Sequence, residues 1–148
     1  MELTRLNEFK VIGFKWEGTF EEAQLGGIKE LFSKLSDLKQ DEINREVYGV
    51  SNNHHENGFA YYVGYAVQDD EEIDLESIIV PKMQYASMQH SGTDVMSSYK
   101  KLYRWVEEQG FQPRVDNIQH VEIYPIGYNP YRDAPEMEIL LPLKSEEI

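Results

Sequence analysis

The sequence predicts an α+β protein made of two duplicated strand–helix–strand–strand (βαββ) units. One strand pattern ends at Gly18-Thr19 and a second ends at Gly92-Thr93. An amphipathic helical pattern follows each of these turns, and two alternating strand patterns follow each helix. We therefore predict a single domain over residues 1–148, with repeats at about 7–68 and 78–143.

The two helices are predicted from capping residues and apolar stripes. Thr19 and Glu22 have the spacing of a capping box, in which hydroxyl and carboxylate satisfy free backbone N–H groups. An apolar stripe then extends the first helix to about residue 39. The second helix is predicted over about 94–109, because Gly110 is typical of the position just beyond a helix.

Alternating apolar residues predict the strands that follow the helices. They cover about 46–51 and 59–67 in the first unit, and about 119–128 and 136–143 in the second. The acidic segment 69–74 is interpreted as a solvated connector, because its spacing lacks the glycine and the terminal glutamate of an EF-hand loop.

The faces of the strands lead to a prediction of antiparallel half-sheets around a central cleft. Each half-sheet has to cover one face with its helix. We assign Val121 and Ile123 to the helix-covered face, and Glu122, Tyr124 and Glu138 to the opposite face. Those opposite faces would line a groove between the repeats, where ligand sites are common.

Composition excludes several classes of function. The net charge of −13 disfavours direct contact with nucleic acid or an anionic membrane. The chain has no cysteine, and Met1–Arg5 lacks the pattern of a signal peptide, so we expect a cytoplasmic protein. We predict no metal site, because His54-His55 are adjacent loop residues without a completing ligand set. We predict no cofactor, because no glycine-rich phosphate loop is present.

Glu122 is the most informative single residue. It lies inside the strand pattern Val121–Pro125 and shares a strand face with His120 and Tyr124. One interpretation is a solvated strand face. The other is a site for an organic cation, because a carboxylate beside an aromatic ring suits such a ligand.

An ordered set of short motifs across the sequence matches one known family. The motifs are Val80-Pro81, Tyr85-Ala86, His90-Ser91-Gly92, Tyr99, Leu102-Tyr103-Arg104-Trp105, Gly110, Glu122-Ile123-Tyr124, Glu138-Ile139 and Leu141-Pro142-Leu143, with Tyr48-Gly49-Val50 and Tyr61-Tyr62-Val63-Gly64 in the first half. Through these motifs the sequence resembles the GyrI-like small-molecule-binding family, the effector-binding domain of AraC-type and MerR-type multidrug regulators. The resemblance implies two units around a cleft that binds amphipathic, often cationic, organic molecules, with Glu122 as the ligand-facing acid. Because the sequence has no DNA-binding segment, we expect a stand-alone member.

Further residues are predicted to contribute ring faces, apolar contact or charge to this cleft. Tyr48, Tyr65 and Tyr124 suit cation–π contact, with ordinary sheet packing as the alternative. Trp16 and Trp105 are each open to a core or a cleft position. The predicted ligand-binding set is Glu122, Tyr124, Glu138, Tyr48, Tyr65, Trp16, Tyr85, Met88 and Trp105.

Two other functions stay open. Some proteins of the GyrI-like family resemble hydrolases of strained cyclopropane rings, which would make Glu122 and Glu138 a catalytic acid–base pair. Alternatively, the acidic surface would contact a protein partner, either a regulatory protein or gyrase.

Overall fold

The computed structural model describes residues 1–24, 26–36, 46–55, 57–67, 76–114, 118–126, 128–129 and 133–144. No helix in these ranges is long and apolar enough to cross a membrane. The predicted connector 69–74 and the predicted helix end near residue 39 lie outside them, as do the side chains of His54 and His55. The elements are β1 (Glu2–Leu6), β2 (Phe9–Thr19), α1 (Phe20–Gln24), α2 (Gly27–Ser36), β3 (Val47–His55), β4 (Gly58–Val67), β5 (Glu76–Val80), β6 (Met83–Ser91), α3 (Val95–Glu108), β7 (Ile118–Tyr124) and β8 (Glu136–Pro142).

The strands form one antiparallel sheet of eight strands in the order β1-β6-β8-β7-β3-β4-β2-β5. The order is symmetric between the two halves of the chain. If β1, β2, β3 and β4 are exchanged with β5, β6, β7 and β8 respectively, the same order is obtained in reverse. The pairing of β3 with β7 joins the two halves, so the predicted separate half-sheets are in fact one continuous sheet.

The sheet curves until its two edges approach each other. Edge strand β1 and strand β2, which lies beside the opposite edge, are separated along the chain by only Asn7 and Glu8. Three Cα–Cα steps span at most about 11 Å, so the ends of these strands have to lie close together. Pro81 and Lys82 impose the same closure between β5 and β6.

The helix boundaries follow local signals. The capping box is confirmed: the Thr19 N–H donates to Glu22 Oε1 at 2.8 Å, and the Glu22 N–H donates to Thr19 Oγ1 at 3.1 Å. Asp94 caps α3, and Gly110 ends it with a φ of 82°. The first predicted helix is interrupted at Gly26, whose φ of 103° breaks it into α1 and α2.

Each face of the sheet carries its own apolar cluster. The helices cover the cluster that contains Tyr61, Tyr124 and Ile139. The opposite face carries a second cluster that contains Val121 and Leu140. The residues of this second cluster are buried, although no residue of the described helices belongs to it.

The predicted assignment of the β7 faces was wrong. Val121 pairs with Leu140 and Ile123 pairs with Glu138, so these residues face away from the helices. Glu122 pairs with Ile139, which belongs to the helix-covered cluster. Alternation along one strand separates its two faces, but only the register with β8 shows which face meets a helix.

Candidate functional site

A cavity of about 680 Å³ lies on the helix-covered face. Strands β3, β4 and β7 form its floor, α3 forms one wall, and Ile28 of α2 contributes from the other side. Both halves of the chain therefore line it. The lining residues are Ile28, Ser51, Phe59, Tyr61, Met96, Tyr99, Lys100, Tyr103, Arg104, Glu107, His120, Glu122 and Tyr124.

Glu122 lies at the floor of this cavity with only 9% of its surface exposed. Its Oε1 atom accepts hydrogen bonds from the Tyr61 hydroxyl at 2.5 Å and the Tyr124 hydroxyl at 2.8 Å. Its Oε2 atom accepts one from the Tyr99 hydroxyl at 2.5 Å. Three donors from β4, β7 and α3 thus hold one carboxylate in a fixed orientation.

The arrangement depends on a glycine in the neighbouring strand. Gly49 of β3 pairs directly with Glu122 of β7, so their side-chain positions share a face. A Cβ atom at Gly49 would lie 1.9 Å from the Tyr61 hydroxyl oxygen. The missing side chain therefore leaves the space in which the Tyr61 hydroxyl reaches the carboxylate.

The three tyrosines are held in their neutral, donating form. Burial is the largest cause that raises the pKa of the Tyr61, Tyr99 and Tyr124 hydroxyls well above the usual value, and the charge of Glu122 raises each further. Among the described residues, no lysine, arginine or histidine forms an ion pair with Glu122. The carboxylate is stabilised by dipoles, and no cation of the described residues cancels its negative charge.

Aromatic rings surround the carboxylate. Tyr124 stacks on Tyr128 with ring centroids 4.9 Å apart and meets Phe32 edge-on at 5.1 Å. Near the mouth, the Tyr99 ring lies 4.5 Å from that of His120, and the Tyr103 hydroxyl is 2.8 Å from His120 Nε2. The walls are therefore ring edges and faces, which suit an apolar ligand that carries a positive charge.

The structure brings only part of the predicted set to the cavity. Glu122 and Tyr124 line it. Trp16, Tyr65, Met88 and Trp105 pack against the helix-covered core, outside the lining. The Trp16 ring meets that of the lining residue Phe59 at 5.4 Å.

Three predicted residues lie on the other face of the sheet. Tyr48 and Tyr85 belong to the opposite apolar cluster. Glu138 lines a separate hollow of about 480 Å³ beside Glu2. Burial raises the pKa of Glu138, and the charges of Glu2 and Glu46 add to the rise. The predicted pairing of Glu138 with Glu122 on one face was therefore wrong.

Among the lining residues that sequence reasoning did not assign to the site, Tyr61 and Tyr99 donate hydrogen bonds to Glu122. Tyr99 lies on α3, 23 positions from Glu122 in the chain. Tyr61 lies in an alternating strand far from Glu122 in the chain. The excess of ten tyrosines over six phenylalanines was the available signal, since a buried hydroxyl needs a partner.

Comparison with known families decides the identity of the fold. A family model for the GyrI-like small molecule binding domain matches residues 1–144. The chain belongs to the GyrI-like family. No curated protein matches it. Among the described residues of this GyrI-like domain, no group of three histidine, aspartate or glutamate side chains could hold a metal ion.

Solved structures share the fold of this GyrI-like domain at low identity. The protein SAV2435 bound to tetraphenylphosphonium is 14% identical, with a TM-score of 0.68, over 97% of this chain and 93% of that one. A bacterial transcription regulation protein from Staphylococcus aureus MU50 is 15% identical, with a TM-score of 0.67, over 97% of each chain. EcmrR, in a complex with DNA, is 13% identical, with a TM-score of 0.65, over 97% of this chain and 57% of that one.

Proposed function

We propose that this GyrI-like domain binds amphipathic organic cations in the cavity, with Glu122 as the charge partner. The observation that carries the proposal is the buried carboxylate, which three tyrosine hydroxyls hold and no cation of the described residues neutralises. A ligand cation would complete the electrostatics of a site whose reduced screening strengthens ion pairing.

The tyrosines would act as both positioning groups and ring contacts. Each hydroxyl donates to Glu122, so each ring lies beside the carboxylate. Cation–π contact contributes about 0.5–2 kcal/mol per ring, more where water is excluded. Phe59 and Tyr124 would add apolar contact for the organic part of the ligand.

The size of the cavity agrees with such a ligand. A volume of about 680 Å³ is within the usual range for small-molecule sites. SAV2435, which shares the fold, binds tetraphenylphosphonium, a cation of this chemical class. We therefore take tetraphenylphosphonium as the first probe.

Two broader expectations support the same function. We infer that the fold is a duplication, because the strand order maps onto its own reverse when the halves are exchanged. The cavity then uses β3, β4 and α2 from one repeat and β7 and α3 from the other. We also propose a regulatory role as an effector-binding domain, supported by the shared fold with EcmrR in its DNA complex.

The alternative of hydrolysis by a glutamate pair receives no support from the geometry. Glu122 and Glu138 face opposite sides of the sheet, so they cannot flank one scissile bond. A hydrolase from Listeria innocua shares the fold at 10% identity, with a TM-score of 0.56, over 97% of this chain and 91% of that one. That similarity concerns the fold, and we do not propose an enzyme.

Isothermal titration of wild-type protein and of Glu122→Gln with tetraphenylphosphonium tests the proposal. Removing one partner of a buried charge pair is expected to weaken binding by about 30-fold or more. Triphenylphosphine oxide, which has similar rings and no net charge, should bind wild type far more weakly than the phosphonium does. This second comparison needs no variant and is independent of folding.

Glu138→Gln is the matched control. It removes an acid from the opposite face of the sheet and should leave phosphonium affinity unchanged. Equal binding of the cation and the neutral analogue, or full affinity in Glu122→Gln, would refute the role of Glu122 as charge partner. Failure of a panel of lipophilic cations to bind at all would favour the protein-interaction module, with gyrase or a regulatory protein as partner.

A further inference from the structure

The mouth of the cavity has the opposite charge to its floor. Lys100 and Arg104 both line the cavity from α3, and both are exposed. Their spacing of four residues places them one above the other on the same face of the helix. Tyr99, which precedes Lys100, reaches down to Glu122, so the floor and the mouth are linked through adjacent residues of α3.

These two cations stand out in an acidic chain. The net charge is −13, with 27 acidic and 14 basic residues, so acid is the common surface charge. In the ranges that the structure describes, neither the Lys100 nor the Arg104 side chain has a hydrogen bond or an ion pair, although Glu107 and Glu108 follow Arg104 by about one turn. Both side chains can therefore engage a ligand without first breaking an internal contact.

We propose that the preferred ligands carry two charges, a cationic centre bound at Glu122 and an anionic group, such as a carboxylate, bound at Lys100 and Arg104. The inference rests on the proposed function and specifies its ligand class. Along α3, Arg104 lies about 7 Å beyond Tyr99, so the two ligand charges would be separated by roughly 5–10 Å.

Lys100 and Arg104 would weaken the binding of a ligand that carries only a cation. Because the Debye length at physiological ionic strength is about 8 Å, Lys100 and Arg104 lie close enough to repel a cation at the floor. The same residues would attract the carboxylate of a two-charge ligand. Removing them should therefore change the two affinities in opposite directions, which a loss of folding cannot imitate.

A matched pair of ligands makes the test. Butyltriphenylphosphonium carries only the cation, whereas carboxybutyltriphenylphosphonium carries the same cation with a carboxylate on a flexible arm. Titration of wild type should show tighter binding of the carboxylated ligand by about two- to fivefold, the range for exposed ion pairs. The double variant Lys100→Gln/Arg104→Gln should lose this preference and bind the plain cation slightly more tightly.

Lys101→Gln is the control, because Lys101 is exposed on the same helix but does not line the cavity. It removes one positive charge from α3 and should keep the preference for the carboxylated ligand. Glu107→Gln, which removes the acid at the mouth, should increase that preference. Added salt should reduce it, since exposed charge pairs are screened.

The outcomes separate this inference from the proposed function. If both phosphonium ligands bind wild type with equal affinity, or if the double variant weakens both equally, the two-charge ligand class is wrong while the cation site stands. If the preference is lost equally in Lys101→Gln, general surface charge is responsible and the inference fails. If neither ligand binds, the proposed function and this inference fail together.

Discussion

Glu122 and Glu138 lie on neighbouring strands of one sheet, yet they occupy different environments. Glu122 pairs with Ile139, and Glu138 pairs with Ile123, so a shift of one residue puts the two acids on opposite faces. Glu122 is buried under the helices with three hydroxyl donors. Glu138 is partly exposed beside Glu2, at the second hollow. The face of the sheet, and not the residue type, decides which carboxylate belongs to a built site.

Two buried tyrosines extend the comparison. Tyr61 is 5% exposed, and its hydroxyl donates to Glu122. Tyr85 is fully buried on the opposite face, and in the described part of the chain its hydroxyl has no hydrogen-bond partner. Tyr61 therefore contributes a directed polar contact, whereas Tyr85 contributes volume to a packed cluster. The helix-covered face is preorganised around a charge, whereas Tyr85 on the opposite face belongs to an apolar cluster.

Among the substitutions that test the difference between the two faces, Gly49→Ala should have the largest effect on stability and on ligand affinity. The new methyl group would collide with the Tyr61 hydroxyl and force it away from Glu122. Overpacking together with a disrupted hydrogen bond to a charge is expected to lower the free energy of unfolding by about 3 kcal/mol. Urea denaturation measures the loss, and phosphonium titration should show affinity reduced by at least about tenfold.

The matched control for Gly49→Ala is the same substitution in a Tyr61→Phe background. Removing the hydroxyl relieves the closest contact, so the alanine should cost less there than in wild type. Such non-additivity is expected of residues in direct contact. Strictly additive losses would show that the glycine does not make room for the hydroxyl.

Tyr61→Phe and Tyr85→Phe form the next pair. Tyr61→Phe removes a donor from a buried carboxylate and should cost about 2 kcal/mol of unfolding free energy. Tyr85→Phe removes a buried hydroxyl that has no hydrogen-bond partner among the described residues, so stability should stay the same or rise by up to about 1 kcal/mol. Both are measured by urea denaturation at neutral pH, and equal losses for the two would contradict the difference between the faces.

Local signals made much of the fold predictable from the sequence. The capping box at Thr19 and Glu22 depends on residues three positions apart, so the turn and helix start could be read directly. Gly110 ended α3 for the same reason. The short strands β1 and β5 were missed, because each has five residues and is paired only through distant partners.

The site was less predictable, because it depends on register and on long-range contact. Glu122 and Tyr124 lie in one strand and could be placed together by alternation. Tyr61 is 61 positions from Glu122, and Tyr99 is 23 positions away on a helix. Glu122 and Tyr124 were assigned to the wrong face because the sequence does not specify how β7 and β8 align. Such pairings appear only when the sheet is assembled.

At alkaline pH, the buried tyrosine hydroxyls of both faces should cause a similar loss of stability. Burial raises the pKa of the Tyr61 and Tyr85 hydroxyls above that of an exposed tyrosine, although only Tyr61 is also affected by Glu122. A hydroxyl whose pKa is higher in the folded protein binds its proton more tightly there than in the unfolded chain. Its contribution to stability is complete below about pH 10 and is lost as pH rises through the folded-state value.

Between pH 10 and pH 11, each such tyrosine should cost wild type about 1 kcal/mol of unfolding free energy. Tyr61→Phe and Tyr85→Phe should each reduce this loss by that amount, since each removes one such hydroxyl. Tyr61→Phe would then recover part of its deficit at high pH, and Tyr85→Phe would become more stable than wild type. Urea denaturation at pH 7, 10 and 11 measures both, with Tyr62→Phe, whose ring is only partly buried, as the control. If the unfolding free energy falls less steeply with pH in Tyr61→Phe but not in Tyr85→Phe, the charge of Glu122, and not burial, governs the alkaline response. The two faces would then differ in their titration as well.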